Sequence, residues 1–196
     1  MVSNTTSQHI SHKFDEEMED LRNQVLTMGG LVEEQISGAI NAFLNTNAPD
    51  AENIIIKDHK VNSLEVAIDE ACTQIIARRQ PAASDLRMII AVIKTITDLE
   101  RIGDEAERIA KMALNLAEDN AGFNSRYAGI RHLGDQVKKM VHDVLHAFAR
   151  MDVDAAINVV RDDDDTDKEY KNLMRMLITY MMEDPRTISE VLDVIW

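Results

Sequence analysis

Glu100, Asp104 and Glu107 stand in the stretch "TDLERIGDEAERIA" (97–110) at spacings of four and three, and Lys111 continues the series four residues on. A helix turns by about 100° per residue, so these four side chains share one line along it. Leu99, Ile102, Ala106, Ile109, Ala110 and Ala113 form an apolar face, and the acids run along its flank. Arg101 and Arg108 lie further round, toward solvent, and Gly103 falls near the core edge. A second segment repeats the arrangement: Asp58, Asn62, Glu65 and Asp69 flank the apolar series Ile54, Val61, Leu64, Ile68, Cys72 and Ile75. Acids at the margin of a core allow two readings. In one they are solvated boundary residues with Lys or Arg partners at helical spacing. In the other they are oxygen ligands of a hard cation, whose charge would offset their mutual repulsion. With no histidine in either line, iron, manganese, magnesium or calcium is favoured over zinc.

Other constellations are weaker. "HDVLH" (142–146) sets His142 and His146 one turn apart, a metal-ligand spacing, but lacks the Glu that serves as general base in zinc proteases. Surface or boundary histidines are the simpler reading, and His59 points away from the Asp58 line. The run "RDDDDTDKEY" (161–170) reads as a solvated helical face. Met174 to Met182 reads as core. There is no Gly-rich phosphate loop, no Cys pair and no Ser/His/Asp pattern, so catalysis has no support in the sequence. A ferritin-type di-iron enzyme would need Glu-x-x-His pairs pointing inward, and the sequence contains none.

The elements that must position these residues follow from heptad-like patterning and a few turn signals. Helices are expected over about 11–43, 49–79, to 118, to 150 and to 183. "EDPRTIS" opens a sixth that runs to the last residue. "NTNAPD", "RQPAASD" and "MDVD" mark turns, with Pro49 suited to the first turn of its helix. Few breakers, 4% aromatics and 11 Met suit helices better than strands.

The two halves resemble each other. "AFLNTNAPDAENII" (42–55) aligns with "AFARMDVDAAINVV" (147–160), so that Phe43 and Phe148 differ by 105. The same offset takes Asp58 to Asp163 and Asn62 to Asp167, while Pro81 and Pro185 differ by 104. The fold class expected is therefore all-α: two repeated up-down three-helix bundles, residues 8–120 and 125–196, with the boundary at "DNAGFNS" (119–125). Counterparts of Glu100 and Asp104 would fall beyond the last residue, so the sixth helix reads as truncated and the second bundle as incomplete.

Composition limits the function classes. The 196 residues, 45% of them hydrophobic, are enough for a sizeable core. A net charge of −14 argues against nucleic acid and against adsorption to an anionic membrane, and suits metal cations or a basic protein partner. The single cysteine, Cys72, rules out an internal disulfide and fits a reducing compartment, with a packed thiol expected. The N-terminus lacks a signal-peptide apolar region, and "MIIAVIKTIT", the most apolar run, contains Lys94. A cytoplasmic protein is expected.

With these residues in view, the chain resembles the PhoU family of cytoplasmic regulators of bacterial phosphate uptake. "ARRQPAASDLRMI" (77–89) followed by "TDLERIGDEAERIA" looks like its most characteristic block. "MGGLVEEQI", "EVAIDEAC", "HDVLHAFARMD" and "TYMMEDPRTI" look like its enteric-type branch, and the similarity covers residues 8–196. The resemblance implies two repeated three-helix bundles and acidic motifs that bind multinuclear metal clusters. Glu100 and Asp104 match one such motif, Asp58 and Asn62 the pair on the second helix, and Asp163 and Asp167 its second copy. Glu65 and Glu107 extend the same flanks. It also implies an adaptor that links the ATPase subunit of a phosphate ABC transporter to a membrane sensor histidine kinase. Such an adaptor lowers phosphate-starvation gene expression when phosphate is plentiful, is usually a homodimer, and meets the membrane only through its partners. The alternative is a metal-independent helical scaffold with no regulatory role, ahead of the carboxylate di-iron enzyme.

Overall fold

A computed structural model of the chain describes residues 3–118 and 128–195. They form α1 (Ser3–Asn45), α2 (Ala48–Arg79), α3 (Ala83–Glu118), α4 (Ala128–Arg150), α5 (Val153–Glu183), a 3₁₀ turn (Pro185–Thr187) and α6 (Ile188–Ile195). The described residues contain helices and turns and no strand. α1 starts eight residues earlier than the pattern suggests, because nothing from Ser3 to Met28 is a Gly or Pro that would stop it. The sixth helix is entered through the 3₁₀ turn: Pro185 occupies its first position and Asp184 caps it by accepting from the Arg186 N–H. The boundary expected at 119–125 lies outside the described residues.

The repeat is written into the backbone at two corners. At the end of α1, Asn47 N–H donates to Ala42 C=O and Thr46 N–H to Phe43 C=O; at the end of α4, Asp152 N–H donates to Ala147 C=O and Met151 N–H to Phe148 C=O. This is the paired bonding of a Schellman C-cap, which needs a left-handed residue. Thr46 (φ 50°) and Met151 (φ 54°) supply it, without glycine, 105 positions apart. The residue after each then caps the next helix: Asn47 Oδ1 accepts from the Asp50 N–H, and Asp152 Oδ1 from the Ala155 N–H.

The chain clusters into two compact units whose limits fall inside helices. One comprises α1 through Val32, α2 from His59 and α3 as far as Gly103. Its core is Leu21, Val25, Met28 and Val32 on α1, Val61, Ile68, Cys72 and Ile75 on α2, and Ile89, Val92, Ile96 and Leu99 on α3. Each such side chain contributes about 1.5–3 kcal/mol by leaving water. Arg79, at the end of α2, forks onto Glu17 near the start of α1, so the two helices run antiparallel. That fork holds the Glu17 carboxyl below its ordinary pKa.

The other unit takes α1 from Glu33, α2 through Asp58, α3 from Asp104, and everything that follows. Ile36, Ala39, Ala42, Phe43 and Leu44 are buried there on α1, Ala51 and Ile54 on α2, and Ala106, Ala110, Ala113 and Leu116 on α3. α4 runs antiparallel to α1, with Lys138 on Ser37, His142 on Glu33 and Gly134 under Ile40. A Cβ at Gly134 would meet Ile40 Cδ1 at 2.5 Å, which explains the glycine. α5 packs antiparallel on α4, with Thr166 on Met140 and Leu173 over Gly129. Among its described residues α5 buries only Leu173 and Leu177. The Met174–Met182 segment, expected in the core, is half-buried at Met174, Met176 and Met181 and exposed at Met182. Met174, Met176 and Met181 flank that short buried strip, and Met182 lies opposite it.

Candidate functional site

On α3 the acids divide into two kinds. Asp98 and Glu105 are exposed and pair with Arg101 and Arg108 one turn away. Such surface pairs add little. Glu100, Asp104 and Glu107 are half-buried along the flank of the apolar face, as their spacing requires. Glu107 is paired to Lys111, whereas Asp104 makes no ion pair among the described residues. Gly103, between Glu100 and Asp104 in sequence, is buried.

On α2, Asp58 is one of the few buried polar residues, only 6% exposed. It accepts a hydrogen bond from Gln35 Nε2 at 3.0 Å, while next to it Lys57 is drawn off to Glu34. Asn62 and Glu65 are half-buried, and Asp69, the last of the line, is exposed. Gln35 is the residue that reading the sequence for acids missed. It is 3% exposed, and its Oε1 is buried with no hydrogen-bond partner. A signal was present. Val25, Met28, Val32, Gln35 and Ala39 share one stripe of α1 at spacings of three and four, and Gln35 is its single polar member.

The second copy is placed differently. Asp163 and Asp167 on α5 are exposed, and Asp167 pairs with Lys171. His142 and His146 are exposed as well, their ring centroids 4.4 Å apart, with His142 Nδ1 3.2 Å from Glu33. Cys72 is fully buried, and burial together with the nearby Asp69 charge raises its pKa to about 11. It is a packed thiol.

For a hard cation these residues are suitable in kind. The flanks offer carboxylate and amide oxygens at one-turn spacing, half-buried, with an unsatisfied carbonyl oxygen on Gln35 beside Asp58. They are offered in pairs along each helix. Among the described residues no group of three or more His, Cys, Asp or Glu is gathered so as to hold a metal ion. Water or further ligands would therefore have to complete a coordination shell. No helix among the described residues is long and apolar enough to cross a membrane.

The family model for the PhoU domain matches residues 25–113 and again 130–196. The chain belongs to the PhoU family. The two matched segments agree with the repeat seen at the two helix corners. The chain is 50% identical over 188 residues to the phosphate-specific transport system accessory protein PhoU homolog of Pseudomonas aeruginosa, covering 96% of this chain and 77% of that one. It is 47% identical over 196 residues to the phosphate-specific transport system accessory protein PhoU of Escherichia coli K12, covering 100% and 80%. Among solved structures, PhoU from Pseudomonas aeruginosa superposes with a TM-score of 0.90 at 50% identity, covering 93% of this chain and 87% of that one. The phosphate transport system regulatory protein PhoU from Streptococcus pneumoniae gives 0.80 at 33% identity, covering 87% and 80%.

Proposed function

We propose that this protein is a cytoplasmic regulator of phosphate uptake, an adaptor and not an enzyme. In this reading it couples the ATPase subunit of a phosphate-specific ABC transporter to a sensor histidine kinase, as a homodimer, and lowers phosphate-starvation gene expression when phosphate is abundant. The observation that carries the reading is the 50% identity to the Pseudomonas aeruginosa accessory protein over 96% of the chain, a span that includes the acidic blocks. Helical faces dock the partners. The acidic flanks hold iron, manganese or magnesium, through Asp58, Asn62 and Glu65 on α2 and Glu100, Asp104 and Glu107 on α3. Asp163 and Asp167 form the second copy. The ion would supply positive charge that offsets carboxylate repulsion and stiffens the flanks.

The test is alkaline phosphatase output in phosphate-rich medium, in cells lacking their own regulator and supplied with this gene. Repression is the expected result. Derepression, with the protein folded and a full-length relative repressing alongside, would remove the regulatory reading. For the metal, the double variant Glu100→Ala, Asp104→Ala should lose bound metal, read by elemental analysis, while keeping its helical circular dichroism. Unchanged metal content would end the site assignment. The lack of a gathered three-donor group among the described residues favours the competing reading, a metal-independent scaffold. No metal bound to the unaltered protein, with partner binding intact and no repression in cells, would select it.

A further inference from the structure

Buried polar groups are nearly always hydrogen-bonded, so each exception asks for a partner. Gln35 is 3% exposed, and its Oε1 is buried without a hydrogen-bond partner. The other end of the same amide is engaged: Nε2 donates to Asp58 Oδ1 at 3.0 Å. That bond keeps the planar amide against a carboxylate that is itself 6% exposed. Both residues lie in the unit that takes α1 from Glu33 and α2 through Asp58. An amide oxygen only accepts, so whatever meets Oε1 must donate a hydrogen or carry positive charge. A cation would meet the carboxylate at the same time. Two bases close by are engaged elsewhere, Lys57 with Glu34 and His142 with Glu33.

Packing does not require the amide. The repeat puts Met140 at the position equivalent to Gln35, 105 residues on, so the seat accepts an unbranched apolar side chain of similar length. On the α1 stripe Gln35 stands between Val32 and Ala39, both fully buried. A neutral amide oxygen next to a carboxylate is a donor mixture that hard cations take in proteins.

We infer that Gln35 is a direct ligand of the cation held at Asp58, giving Oε1 to the metal while Nε2 orients the carboxylate. The inference rests on the metal reading of the acidic flanks and adds to it a donor from α1, outside the acidic motifs. The two ends of one amide therefore have separate tasks, and substitution can separate them.

The probe is manganese(II) alone, titrated into the metal-free intact chain and followed by the electron paramagnetic resonance signal of the free ion. Circular dichroism is recorded for every variant. Gln35→Met, which copies the second repeat, should weaken binding by about tenfold or more, as loss of a group supporting a metal site does. Gln35→Glu removes the N–H donor, keeps an oxygen in reach and adds a charge. It should bind manganese at least as tightly as the parent. Manganese should also raise its melting temperature more than the parent's, because the ion relieves repulsion from Asp58. Asp58→Asn should lose binding.

Weaker binding by Gln35→Glu than by the parent, with its helical circular dichroism intact, would leave Gln35 as a hydrogen-bond donor to Asp58 alone and overturns the inference. Unchanged affinity in Gln35→Met overturns it as well and assigns Oε1 to an ordered water. If Asp58→Asn loses manganese in that same series, the metal reading still stands. A parent chain that takes up no manganese removes both.

Discussion

The two copies of the acidic pair, Asp58 with Asn62 on α2 and Asp163 with Asp167 on α5, occupy equivalent positions and live in different surroundings. On α2, Asp58 is buried against the Gln35 amide and Asn62 is half-buried. On α5 both acids stand in water. The third helix of each repeat differs in its described length, α3 over Ala83–Glu118 and α6 over Ile188–Ile195, and the apolar stripes differ with it. Beside the first pair α2 sinks Ile54, Val61, Ile68, Cys72 and Ile75 into cores, whereas α5 sinks Leu173 and Leu177. A flank is drawn inward only as far as the face it borders, so equal spacing on the helix does not give equal environments. The burial of a polar group is decided by what packs on the neighbouring stripe.

The contrast can be broken or sharpened by matched substitutions, the largest effect first. Ile68→Ala should cost about 2–5 kcal/mol in urea unfolding. Its counterpart Leu173→Ala, at a buried position that is 8% exposed against 0% for Ile68, should cost less than Ile68→Ala. Equal losses would mean that the two repeats are packed alike and that the account of the acids is wrong.

Next, Asp58→Ala leaves the buried Gln35 amide without its acceptor and should destabilise by about 1–3 kcal/mol. Asp163→Ala should stay within about 0.5 kcal/mol, as exposed substitutions do. A loss at Asp163 as large as at Asp58 would mean that the second copy has a buried partner in solution.

A third test uses Cys72, whose counterpart 105 residues on is Leu177. The thiol pKa rises to about 11 in the folded chain from an ordinary 9.0. The native state thus holds its proton more tightly than the unfolded state. The resulting stability is complete below about pH 9 and fades as pH rises toward 11. Cys72→Ala should show a shallower decline over that window than the parent, measured by unfolding at fixed temperature. Identical slopes would mean that the thiol ionises freely while folded.

The smallest effect concerns the two C-caps. Thr46 and Met151 are held left-handed at a cost of about 1–2 kcal/mol each, which glycine relieves, although glycine itself loses about 0.5–1 kcal/mol of chain entropy. Thr46→Gly and Met151→Gly should each raise the melting temperature slightly, Thr46→Gly the more because its side chain branches at Cβ. A fall at both would show that those side chains contribute packing that outweighs the strain.

Much of this was present in the sequence. Helix ends fall where Asn47, Pro49, Pro81, Asp152 and Pro185 put them, because caps and breakers act over three or four residues and are local by nature. The repeat was equally legible, since its offset recurs in residues and then in the left-handed backbone of Thr46 and Met151. The flank position of Glu100, Asp104 and Glu107 followed from the helical period alone. The buried Gln35–Asp58 pair did not, because it joins side chains 23 positions apart on two helices.

What the sequence by itself determined was the helical class, the turns, the duplication and which side chains share a face, all set by interactions within a few residues. What only the tertiary structure decided was which of those faces is covered. It put Asp58 in the interior and Asp163 in water. It buried the Cys72 thiol and left Val153, Ile157 and Val160 exposed. Burial depends on which other helices arrive at a face and how much apolar area they bring, and that is fixed by packing between residues remote in the chain.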